Sequence, residues 1–172
     1  MKKNIKWIIT ITILAFVMTI IFSLLSSKIL ENINIFLGII IILFFILIGV
    51  MFDIIGVAVA SSTISPFHSM ASKKIKGATT AKKMLNNADK VSSFCNDVIG
   101  DVCNIISGSA GIVVATSIAQ KSNIDTTIST LLVTSLIAAF TIGGKALGKG
   151  FAVNQSEQIV TRVSKIINIF SK

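Results

Sequence analysis

The sequence predicts an all-α, polytopic membrane protein: four transmembrane helices, a cytosolic helical hairpin and a C-terminal amphipathic juxtamembrane helix. Three observations predict it. Hydrophobic residues make up 53% of the 172 and charged residues 13%, about half the charged share of a soluble domain, and mean hydropathy is +0.88. Four apolar runs have the length of a bilayer crossing. Of the 16 Lys and Arg, only Lys28 and Lys121 fall outside when both termini are placed in the cytosol, as the positive-inside rule requires. The net charge of +9 would suggest nucleic acid in a soluble protein. Here the basic residues fill the gaps between apolar runs, and no nucleic-acid reader motif or stacking platform is present. Membrane lipid, and not nucleic acid, is the expected partner.

The first span follows a basic head containing Lys2, Lys3 and Lys6. Trp7 to Ser26 carries no charge over one crossing length. It reads as a retained span, because it exceeds a signal-peptide core and no small-x-small cleavage site follows. With the loop to Asn34 it makes an N-terminal segment, residues 1–34, ahead of the remaining 35–172. The second span, about 35–60, is overlong. Its first half is nearly pure Ile, Leu and Phe and suits lipid. Asp53 then interrupts, and Gly56, Ala58, Ala60, Ser61 and Ser62 permit close helix packing.

Ser65-Pro66 breaks the chain. The loop that follows, 65–92, reads as a hairpin of two short helices: Met70, Ala71, Lys73 and Lys74 in one, closed by Gly77, and Ala78 to Asn86 in the other. Its lysines Lys73, Lys74, Lys76, Lys82 and Lys83 form a surface for anionic headgroups or a partner. The fourth span, about 126–143, has Thr130, Thr134, Ser135 and Thr141 placed to bond their own helix carbonyls. Gly144-Lys145 opens the tail, 144–172. In it Ile159, Val160, Val163, Ile166, Ile167 and Phe170 share a helix face that lies on the membrane or on a partner.

The third span, about 98–119, is the informative one. It carries Asp101 and Asn104, with Asp97 just ahead. An Asp at a helix centre costs roughly 2.5–3.5 kcal/mol on insertion scales, so such groups face a bundle interior or a wet cavity. At α-helical spacing Asp97, Asp101 and Asn104 fall at i, i+4 and i+7, on one face. These oxygens could bind a hard cation such as Mg²⁺, with Asp53, Ser61 and Ser62 on the preceding span completing the set. The structural alternative stands beside it. Asp97 would sit at a helix N-terminus, Asp101 would pair with Lys145, and Asn104 would bond a neighbouring backbone.

Other chemistry is poorly represented. Cys95 and Cys103 lie about 12 Å apart along a helix, too far for a disulfide, and a lone histidine is too few for a zinc centre. Gly143-Gly144-Lys145 lacks the spacing of a phosphate loop. No nucleophile–base pair is visible, so neither an enzyme nor an organic cofactor is expected.

From Gly56 onward the pattern resembles the transmembrane domain of the cyclin-M (CNNM) and CorB–CorC family of magnesium and cobalt transport proteins. Lys73 to Val91, KKIKGATTAKKMLNNADKV, is similar to the family's RLxxGAKAALKLLENPERF. Gly100-Asp101-Val102-Cys103-Asn104 is similar to its GNxxxN, one residue shorter. Gly144 to Lys149 stands where the family has GExxPK. The resemblance implies a homodimeric domain with a cytosol-facing polar cavity for a largely dehydrated Mg²⁺. It also implies a plasma-membrane setting, and the Ile-, Asn- and Lys-rich composition is associated with a low-GC bacterium. The SxSE glutamate position is apolar here, Lys145 replaces the GExxPK glutamate, and Gly148 replaces its proline. A separate cytosolic regulatory partner is expected in place of the family's usual CBS pair. Two functions are therefore expected: divalent-cation transport, or a non-transporting membrane scaffold assembling through small-residue helix faces.

Overall fold

Helices account for nearly every described residue of the computed structural model, which covers residues 2–30 and 34–170, and no strand occurs among them. Lys172 lies outside the described residues. The order is α1 (Lys2–Leu30), α2 (Ile35–Ser61), α3 (Ser65–Ser72), α4 (Ala78–Leu85), α5 (Ala88–Ser93), a π-helical turn (Phe94–Gly100), α6 (Asp101–Ser122), α7 (Thr126–Asn154) and α8 (Ser156–Phe170). Four stretches are long and apolar enough to cross a membrane: Ile5–Leu24, Ile35–Ser61, Ala88–Ser122 and Thr126–Asn154.

Two compact units form. Met1–Val50 and Val98–Gly144 make the first, Met51–Asp97 and Lys145–Lys172 the second. In the first unit α1 lies against α6. Its core is Ile42 and Ile46 of α2 against Ala110 and Val114 of α6, with Ile137 of α7 packed on it. Small residues set the spacing. A Cβ on Gly111 would strike the Ile137 side chain, and one on Gly144 would come within 3.0 Å of Val50. Ser129 of α7 is buried and its hydroxyl donates to the Ala115 carbonyl of α6 at 2.8 Å. The outward Ile, Leu and Phe of α1, α2 and α7 remain exposed, as lipid-facing residues do.

The second unit is built around the hairpin. Phe67 of α3, Ala81 and Met84 of α4, Ala58 and Val59 of α2, Ala152 of α7 and Val160 of α8 form one buried cluster. α3 ends earlier than the sequence suggests. Lys73 caps it and Lys74 turns left-handed at φ 54°. Two bonds close the end, Ile75 N–H to Met70 O at 3.1 Å and Lys74 N–H to Ala71 O at 3.0 Å. This is the Schellman pattern, so both lysines follow the helix instead of lying in it. Gly77, at φ +87°, then admits α8, since a Cβ there would stand 3.0 Å from the Lys165 nitrogen.

Two boundaries differ from expectation. The fourth span does not stop at Gly143: α7 continues to Asn154. Glycine inside a helix costs only about 1 kcal/mol, and no proline follows to end it. The tail helix α8 finds its cover within the chain, where Val160 and Ser164 are buried and α8 packs on α4. Ile166, Ile167 and Ile169 stay exposed beyond that contact.

Candidate functional site

Asp53 lies inside the second unit, 7% exposed, on α2. Its ion-pair partner is Lys145 of α7, whose Nζ is 3.7 Å from Oδ1. Its other oxygen, Oδ2, is buried without a hydrogen-bond partner. One turn along α2, Gly56 makes room for Asn96, whose Oδ1 would collide with any Cβ at that position. That Oδ1 is also buried and unpartnered. The unit thus holds one carboxylate oxygen and one amide oxygen with no hydrogen-bond partner among the described residues. Each unmet acceptor costs about 1–3 kcal/mol, more where no water can reach. Acceptors of this kind can take a water, a cation or another donor.

The first unit has its own polar place. Asn104 of α6 sits over Gly49 of α2, where a Cβ would stand 3.7 Å from its Oδ1 and 3.3 Å from Cys103 Cβ. This Oδ1 is again buried and unpartnered. Asn104 also lines an open cleft of about 280 Å³ with Gly108, Thr134, Ala138 and Thr141. Thr134 spends its hydroxyl on the Thr130 carbonyl at 2.7 Å, and Ser107 spends its own on the Cys103 carbonyl at 2.8 Å. These two hydroxyls are occupied in helix packing.

The other expected ligands are placed differently. Asp97 and Asp101 are exposed on this chain, whereas Asn104 turns inward. Asp101 and Asn104 part within regular α6, where the step from one to the other turns from the exposed side to the interior. Asp97 lies ahead of it in the π turn, which closes i to i+5 bonds and rotates the chain less per residue than an α-helix. In that turn the Asn96 side-chain oxygen is buried while Asp97 is exposed. Lys145 takes Asp53 as its ion-pair partner, where the sequence alternative had paired it with Asp101. Ser61 is exposed at the end of α2, while Ser62 Oγ is buried and unpartnered. Ser62 lies nine positions beyond Asp53 and just past the end of α2.

Asn96 escaped the sequence reading because it carries no charge and precedes the aspartate that drew attention. Of the hairpin lysines, Lys73, Lys74, Lys76 and Lys83 are exposed and Lys82 is half-buried. Among the described residues no three His, Cys, Asp or Glu side chains converge. The available donors are one carboxylate and neutral oxygens, a set suited to hard cations and poor for zinc or copper.

Fold and site together define a class: a helical membrane protein with four bilayer-length stretches that buries a carboxylate and amide oxygens among its helices. Residues 39–172 match the model of the cyclin M transmembrane N-terminal domain. The chain belongs to that family. Neither the curated proteins nor the solved structures contain a significant match.

Proposed function

We propose that the chain carries a divalent cation, Mg²⁺ first and Co²⁺ as the alternative cargo, across the cell membrane through a polar cavity open to the cytosol. The observation that carries this reading is the buried, half-satisfied Asp53 with the unpartnered Asn96 oxygen beside Gly56. Family membership supports it. A hard cation takes oxygen ligands at about 2.0–2.6 Å and tolerates a mixture of carboxylate, amide and water. The reading includes a homodimer, in which the exposed Asp97 and Asp101 would meet a second copy, and a separate cytosolic regulator.

The test is Mg²⁺ flux into proteoliposomes holding a fluorescent indicator. Asp53→Asn is expected to lower flux at least ~10-fold, the scale of one lost charged ligand, while Asp101→Asn leaves most of it. The reverse result would move the ligand set to the exposed face of α6 and to a dimer interface. A second reading, a scaffold that transports nothing, is favoured by one observation: Lys145 already neutralises Asp53. Absence of flux from a folded wild-type chain would select it.

A further inference from the structure

We propose that Lys145 is a tethered competitor cation: its ammonium stands beside Asp53 where an inorganic cation would bind, so a metal reaches that carboxylate only by displacing it. This rests on the cation-binding reading above and adds what sets the affinity.

The pair is asymmetric. Asp53 is fixed, its side chain only 10% exposed, whereas the Lys145 side chain is 23% exposed. A lysine on a four-carbon stem can swing its head to water, but a short, buried carboxylate cannot follow. The 3.7 Å separation is Coulombic contact without a hydrogen bond. Oδ2 is left with no partner at all. A clamp built for stability would use both oxygens, as a bidentate arginine does. The present arrangement neutralises the carboxylate and leaves its remaining lone pairs, with the Asn96 oxygen one turn away, available.

Removing one partner of a buried pair strands the other charge. Without metal, therefore, Lys145 keeps Asp53 tolerable inside the unit. A divalent ion brings twice the charge to a shorter distance and also takes the neutral oxygens that an ammonium at 3.7 Å leaves unused. Each binding event then carries the cost of expelling Lys145, and the site is weaker than its ligands alone would make it.

The experiment uses the full chain in detergent and Mn²⁺ as a spectroscopic probe of hard divalent binding. Lys145→Gln is the leading variant, because its neutral amide can still donate to Asp53 and keep the fold. Expected is Mn²⁺ binding at least ~10-fold tighter than wild type, lost again in the Asp53→Asn, Lys145→Gln double variant. Lys145→Arg, which keeps the charge, should stay near or below wild-type affinity. Where Lys145→Gln fails to fold, Lys145→Met in the presence of Mn²⁺ takes its place, and metal-dependent recovery of its melting temperature is the expected result. Equal or weaker binding by the neutral variants overturns the proposal and leaves the cation reading intact. A gain that survives loss of Asp53 also overturns it. No binding by any folded variant overturns both.

Discussion

A left-handed backbone at two hairpin positions separates what glycine does from what lysine tolerates. Gly77 combines φ +87° with a backbone neighbour, the Lys165 nitrogen 3.0 Å from where a Cβ would stand. Alanine there meets both the left-handed penalty of about 1–2 kcal/mol and a helix backbone that cannot yield. Gly77→Ala is expected to lower stability by roughly 2 kcal/mol or more and to make α8 protease-sensitive; an unchanged melting curve would contradict the packing described. Lys74 occupies the same conformational region at φ 54° but is exposed and unobstructed. Lys74→Gly should therefore stabilise by roughly 0.5–1 kcal/mol, the relief of strain less the added freedom of the unfolded chain. The opposite signs of the two variants, read by thermal melting in one detergent, form the check.

At the scale of elements, the turn between α6 and α7 is controlled by one carboxylate. Asp125 Oδ1 accepts from Thr127 N–H at 2.7 Å and Ile128 N–H at 3.3 Å, capping α7. These bonds, that of Ile128 first, hold its pKa below the ordinary value. A depressed carboxylate contributes above its unfolded pKa, near 3.9, and the contribution disappears as pH falls through the folded value. Amide exchange at Thr127 and Ile128, corrected for its intrinsic pH dependence, should accelerate below about pH 4. In Asp125→Ala it should be fast at neutral pH too, and in Asp125→Asn largely protected. α7 illustrates the limits of reading elements from pattern. Gly143-Gly144 looked like an end, yet helical bonding carries through to Asn154, since glycine weakens a helix without stopping it and no proline follows.

For the whole molecule, charge sets the expected orientation. The basic residues of the hairpin and tail belong on one side of the membrane, and the short turn at Asn123 belongs on the other. Single-cysteine variants can test this with an impermeant maleimide, since Cys95 and Cys103 are buried. Lys76→Cys should label only from the cytosolic face and Asn123→Cys only from the outer face. Labelling of both from one side would remove the four-span arrangement.

Length, hydropathy and the distribution of lysine were enough to determine four spans, a basic hairpin and an amphipathic tail, and motif resemblance pointed to the family that residues 39–172 match. These are properties of the chain that any packing must respect, because a bilayer demands about 20 apolar residues per crossing and a hydrogen bond for every backbone group. Which polar groups face inward was decided by tertiary structure alone. A periodicity count assumes an unbroken α-helix, and the π turn at Phe94–Gly100 alters the rotation just where Asp97 and Asn96 compete for the interior. Nothing local could tell Asp53 from Asp101 as the partner of Lys145, because that choice depends on which helices meet and at what depth. Packing around Gly56 and α7 buried Asp53 beside an ammonium; Asp101, equally polar in sequence, was left on the surface.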